Sequence, residues 1–299
     1  MGMPSGIGII DTLIGFPKAD MKEAYRFLTR QTKDRESNEE FEFPVEYMFK
    51  DVPDKRLRET VDPVAVTLGE MDRWGIARAM VGVGMPGGLG ESAIERFPER
   101  FIASASADPN DGVAGTTAIR RLKADWDIRA VGLFPSGTFP QVAINDPLMY
   151  PIYNTCAELG IAVFCCAGIA GPRVRMAPQH VEMIDDVMYD FPDLTFVTRH
   201  GCEPWEDLAV KLMLKWPGLH YSTSAFAPKH YPKAIIDLAN SRGADKVIYG
   251  GYFPMGLSLE RIMNEMRDVP FNDDVWPKFL RDNAARVLGL EPNPPVSPT

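Results

Sequence analysis

The residue with the clearest chemical potential is His200, in the run Arg199-His200-Gly201. An imidazole titrates near neutrality and can take or give a proton without a metal beside it; the other reading is a hydrogen-bonded core residue. Nearby Glu203 can orient that ring or cap the following helix, and Trp205 offers either packing or a flat face for a substrate. Arg173 and Arg175, in AGIAGPRVRMAP, can grip a carboxylate through paired N–H groups, or stand as surface charges. His180, His220 and His230 form no HxH or i, i+4 pair, so spacing alone offers no metal-ligand set. Ser136 and Ser224 stand outside any G-x-S-x-G elbow. The glycine-rich MPGGLG at 85–90 lacks the spacing of a nucleotide-phosphate loop and reads as a mobile loop. Cys156, Cys165, Cys166 and Cys202 make no CxxC pair and suit neither a disulfide framework nor a zinc knuckle.

Positioning such groups needs a scaffold, and the chain punctuates itself into one. Eight short runs rich in Val, Ile and Phe recur roughly every 25 to 35 residues, the spacing of βα units. They are GIGIIDTLI from Gly6, ARAMVGVG from Ala77, RFIASASAD from Arg100, IRAVGLF from Ile128, GIAVFCCAG from Gly160, LTFVTRHG from Leu194, LHYSTSA from Leu219 and DKVIYGG from Asp245. They are nearly continuous in apolar character, as strands buried on both faces of a parallel sheet must be. Helical patterns lie between them, as after Pro147 and from Ala177. Eight strands, each with its helix, predict a closed (β/α)8 TIM barrel rather than an open sheet.

The 299 residues suit a single barrel over 1–290, with 45% hydrophobic and 24% charged residues. A net charge of -9 argues against nucleic acid and against an anionic membrane surface as partners. The N-terminus shows neither a signal peptide nor a spanning segment, so a cytoplasmic address is expected. The ending EPNPPVSPT, 291–299, is expected to be disordered. One insertion, 18–58, interrupts the first βα unit with a charged, helix-prone stretch and then an aromatic one holding Phe41, Phe43, Tyr47 and Phe49. It leaves the C-terminal face, where barrels build their sites. It reads as a lid, a homodimer arm, a docking surface for a protein partner, or a solvated helical hairpin over the mouth.

Three elements, PDLTFVTRHGCEPW from Pro192, DKVIYGGYFP, and WPKFLRDNAARVLGL from Trp276, resemble the amidohydrolase-2 group. That group holds metal-dependent aromatic-acid decarboxylases and hydrolases, and the resemblance runs from about Ile7 to Leu290. In it, strand 1 ends Asp-x-His-x-His; here Asp11-Thr12-Leu13-Ile14-Gly15 places Leu13 and Gly15 at the ligand positions. The strand 5 ligand is replaced by Cys166, and the aspartate of strand 8 by Tyr252, which can donate a hydrogen bond to a bound carbonyl or carboxylate. His200 matches the family's general base. The resemblance therefore implies a barrel whose divalent-metal site is degenerate, with no cofactor.

Two readings follow. One is a non-catalytic or repurposed barrel that binds a ligand or serves as an accessory protein, by analogy as a partner of a multicomponent oxygenase. The other is a metal-independent hydrolase or decarboxylase of a small unsaturated or aromatic carboxylic acid. In it His200 and Tyr252 are catalytic, and Arg173, Arg175, Cys166 and Trp205 line the substrate.

Overall fold

The computed structural model describes residues 2–49 and 51–290. Within them, eight parallel strands pair in chain order: β1 (Ile9–Asp11), β2 (Ile76–Gly82), β3 (Phe101–Ser106), β4 (Ala130–Leu133), β5 (Ala162–Cys166), β6 (Phe196–Arg199), β7 (Leu219–Ser222) and β8 (Val247–Ile248). Each falls on one of the eight apolar runs. Between β8 and β1 the ring closes through single bonds rather than a ladder. The Thr12 N–H and hydroxyl both donate to the Tyr249 carbonyl, at 3.4 and 2.8 Å, and the Gly15 N–H donates to the Phe253 carbonyl at 2.8 Å. The result is the expected (β/α)8 barrel.

Alternation along the strands builds two cores at once. Ile10, Met80, Ile102, Ala130, Phe164, Val197 and Ile248 fill the barrel interior. Their neighbours Val81, Ala103, Val131, Val163 and Phe196 face outward into the core shared with the helices. Both faces are dry, which is why the runs read as continuously apolar. Among the described residues, no helix is long and apolar enough to cross a membrane.

Local signals start and stop the helices. Asp62 caps the helix Pro63–Trp74 by accepting from the Ala65 N–H at 3.0 Å, Pro63 opens it, and Gly75 closes it at φ 70°. The C-terminal NAARVLGL segment plugs the barrel floor. Ala284, Val287 and Leu288 pack under the interior residues, and Asn283 donates to the Ala244 and Val247 carbonyls at 2.8 Å each.

The insertion is not a helical hairpin. Its charged half forms one helical turn, Met21–Ala24, and a π-turn, Glu36–Glu40; the rest is short turns. Its backbone is tied together by its own turns and anchored to the barrel at a few points. At its base the Lys18 N–H donates to the buried Asp54 carboxylate at 2.6 Å, and the Asp54 N–H donates to the Pro254 carbonyl at 3.0 Å. The tail 291–299 lies outside the described residues.

Candidate functional site

Above the apolar filling, the inward positions of the strands become small or polar. Gly82 and Ser106 are exposed and Ser104 and Gly132 partly so, while their outward neighbours Val81, Val83, Ala105, Val131 and Leu133 are buried. Solvent therefore reaches a cup inside the barrel on the β2–β4 side. Facing it across the ring stand Arg199, His200, Ser224, Cys166 and Tyr252.

The loop after β6 shapes this wall. His200, Gly201 and Cys202 take left-handed backbone at φ 63°, 99° and 66°. Two non-glycine residues in that region carry a cost of about 1–3 kcal/mol each. Tertiary contacts hold them there: the buried Tyr221 hydroxyl donates to the Gly201 carbonyl at 2.9 Å. The turn brings the His200 ring against Ser224, whose Oγ lies 3.2 Å from Nδ1 and accepts the His200 backbone N–H at 3.3 Å. With Nδ1 engaged, Nε2 is the nitrogen left for a substrate. The Tyr252 ring meets the imidazole edge-on, with centroids 5.7 Å apart.

Burial dominates the electrostatics. It pulls the His200 pKa down to about 3, the Arg199 charge adds to the fall, and a hydrogen bond from the ring to the Ser224 backbone opposes it. His200 is thus neutral at pH 7. Burial likewise pushes the Cys166 thiol up to about 11 and the Tyr252 phenol above its ordinary value, with Arg199 opposing both. Arg199 reaches over Gly132 of β4, where a Cβ would come 3.0 Å from its Nη1.

Three of the candidate residues, His200, Tyr252 and Cys166, meet in this wall; three do not. Arg173 donates from Nη1 to both Asp34 and Glu36, at 2.6 Å each, and lies over the Phe41 and Tyr47 rings, so its charge is already paired. It fastens the insertion to the β5 loop. Arg175 is an exposed loop residue whose carbonyl accepts from Gln141 at 3.0 Å. Trp205 packs at a tilt against His180, ring centroids 4.0 Å apart, at the head of the helix Glu206–Lys215. Leu13 and Gly15 lie past the end of β1, and the inward positions there are Ile10 and Thr12. Sequence reasoning passed over Arg199 and Ser224 as partners of His200. A lone arginine inside the apolar run LTFVTRHG was the available signal.

The insertion covers its own barrel. Phe43 is buried and packs, with Phe49, against Tyr252, centroids 6.2 and 5.7 Å away. The Tyr47 hydroxyl donates to the Gly171 carbonyl at 2.6 Å, and Gln31 donates to the Thr138 carbonyl at 2.9 Å. Phe43→Ala is expected to remove about 3–5 kcal/mol of this docking. Hydrogen exchange should then quicken over 20–55 while the strand amides stay protected; unchanged exchange in the insertion would contradict it. Two surface clefts, of about 410 and 400 Å³, lie elsewhere, one against Asp185 and Leu212 and one against Leu57 and Arg73.

A family model described as Amidohydrolase matches residues 35–290. No curated protein sequence matches the chain. Among solved structures, an uncharacterized TIM-barrel protein from Bordetella bronchiseptica is similar at 23% identity and TM-score 0.74, covering 94% of this chain and 98% of that one. The 2,6-dihydroxybenzoate decarboxylase from Rhizobium is similar at 16% identity and TM-score 0.67, covering 94% and 98%. The 5-carboxyvanillate decarboxylase from Novosphingobium aromaticivorans, solved with manganese and 4-hydroxy-3-methoxy-5-nitrobenzoic acid, is similar at 16% and 0.67, covering 97% and 98%. With a match across residues 35–290 and the barrel those residues form, the chain belongs to the amidohydrolase family.

Proposed function

We propose that the barrel mouth processes a small aromatic or unsaturated carboxylic acid without a divalent cation, as a carboxy-lyase or hydrolase whose proton-transfer residue is His200. The observation carrying this reading is the His200–Ser224–Tyr252 group, set in a left-handed turn beside a solvent-reaching cup. The decarboxylase relatives support the substrate class by analogy.

The donor set does not suit the metal that such relatives hold. Leu13 and Gly15 have no donor side chain, and the Cys166 thiol and Tyr252 phenol hold their protons tightly. Among the described residues, no group of three His, Cys, Asp or Glu is placed to bind a metal ion. A guanidinium also stands in the same wall and repels a cation.

In decarboxylation the carbon–carboxyl bond breaks, its electron pair stays on the substrate carbon, and that carbon takes a proton. His200 is neutral in the free protein, so it would acquire a proton only with an anion beside it and then pass it on. Tyr252 holds its proton and donates a hydrogen bond. The test is carbon dioxide release from 2,6-dihydroxybenzoate and 5-carboxyvanillate in excess chelator. Turnover is expected to survive chelation and to fall about 10²–10⁴-fold in His200→Ala. Activity that vanishes with chelator and returns with manganese would overturn the reading.

The depressed His200 pKa favours a second reading, a barrel that binds such an acid without turning it over. A protein partner or second copy would have to use the outer face of 18–58, where Phe27, Tyr47 and Met48 are exposed, since Phe43 and Phe49 already pack on Tyr252.

A further inference from the structure

Arg199 carries a guanidinium fork and projects from the end of β6 into the barrel. Its Nε is buried with no hydrogen-bond partner, and among the described residues its guanidinium makes neither an ion pair nor a hydrogen bond. The side chain as a whole is only partly buried, with its Nη groups open to the cup, so its charge is met by water or by an anion that enters. Nothing in the same wall offsets it. His200, Cys166 and Tyr252 are all uncharged near pH 7. The buried Asp11 faces the outer side of the sheet, where its Oδ1 accepts from Leu13 and Gly251 at 2.9 and 2.8 Å.

The space in front of the guanidinium is small-sided and wet. Gly132 lies under Nη1, the Ser106 hydroxyl is beside Gly132, and the cup opens at Gly82 and Ser106. The flat wall next to it is the Tyr252 ring, itself roofed by Phe43 and Phe49. A planar anion fits this arrangement better than a compact one, because a guanidinium fork matches two carboxylate oxygens while an aromatic face takes the ring.

We infer that Arg199 is the anchor for the carboxylate of a small planar acid, gripping it through paired N–H groups at the β4 side of the barrel interior. The inference deepens the function proposed above and rests on its substrate class, with Arg199 in the place that Arg173 and Arg175 were expected to fill. A carboxylate bound there removes one of the two causes that keep His200 neutral, so the anchor and the proton-transfer residue act in sequence.

The test is calorimetric titration of the full chain with benzoate and with benzamide, its uncharged near-isostere. The wild type is expected to prefer benzoate. Arg199→Met should weaken benzoate by about 30-fold or more and leave benzamide unchanged, and Arg199→Lys should fall between, since an ammonium cannot form the fork. Should Arg199→Met fail to fold, Gly132→Val reads the same site by filling the space under Nη1, with an expected loss of about tenfold or more for benzoate. Equal affinity of the wild type for benzoate and benzamide would overturn the anchor, as would benzoate affinity within about twofold of wild type in every variant that folds. Benzoate binding that depends on Arg199 without carbon dioxide release upholds the anchor and sinks the catalytic reading. Turnover at unchanged KM in Arg199→Met does the reverse.

Discussion

Gly168→Ala is expected to destabilise the protein by about 3–5 kcal/mol, the sum of backbone strain and a steric clash. Gly168 follows β5 at φ 91°, beyond what an L side chain adopts comfortably. A Cβ there would meet the Cys202 backbone C at 2.6 Å, its Cα at 2.8 Å and the Glu203 N at 2.8 Å. These are backbone atoms of the turn that carries His200, so no side chain can swing aside. Hydrogen bonds hold the approach from both directions: the Gly168 N–H donates to the Gln179 carbonyl at 2.8 Å and the Ile169 N–H to the Glu203 carbonyl at 2.7 Å. At ~2–4 °C per kcal/mol for a domain of this class, the melting temperature should fall by roughly 10 °C. Gly160→Ala is the control. That residue also has positive φ, 62°, but no atom lies within 4 Å of its Cβ, so only strain of about 1 kcal/mol is expected. Equal effects of the two substitutions would show that the contact with the His200 turn carries no energy.

Asp11→Asn should remove a pH dependence. Burial raises the Asp11 pKa from 3.8 to about 7, against the pull of the Gly251 and Leu13 N–H groups and the Tyr249 hydroxyl. The folded carboxyl thus holds its proton where the unfolded one has lost it. Between about pH 4 and 7 the folded state binds more protons, so this contribution is fully present below the unfolded pKa and declines as pH rises through 7. Each unit of difference is worth about 1.4 kcal/mol, which sets an upper bound of a few kcal/mol for the loss. Asparagine keeps an acceptor for Leu13 and Gly251 and supplies N–H groups toward Tyr249, in the manner of a protonated carboxyl. The variant should therefore stand closest to the wild type at pH 4 and exceed it by most at pH 8. Asp34 and Asp62, held low at about 2 by hydrogen bonds, slope the opposite way but are common to both proteins. Urea unfolding at the two pH values decides the matter, and parallel profiles would refute the assignment.

The architecture was legible because it is written in local alternation. Each run of Val, Ile and Phe is buried on both faces, a demand that leaves no room for a polar residue and so marks every strand. Gly75 and Gly160 at helix ends and Asp62 with Pro63 at a helix start carry their meaning in their own φ or N–H geometry. The closing NAARVLGL segment could be tied to a family, while its task as the barrel floor emerges only where Ala284 and Val287 meet Ile10 and Phe164. The insertion was the poorest reading: its charges looked helical in isolation, but Arg173, Tyr252 and Pro254 supply its partners from far along the chain.

The candidate site divides along the same line. By itself the sequence determined the barrel, the placing of His200, Cys166 and Tyr252 at strand ends, and the absence of donor side chains at Leu13 and Gly15. Only the tertiary structure shows which arginine stands in the barrel wall. Arg173 and Arg199 are chemically identical, and sequence position favoured the loop residue. The fold engages Arg173 with Asp34 and Glu36 and, among the described residues, gives Arg199 no ion pair inside the ring, because an ion pair depends on what crosses the barrel and not on what lies beside it in the chain.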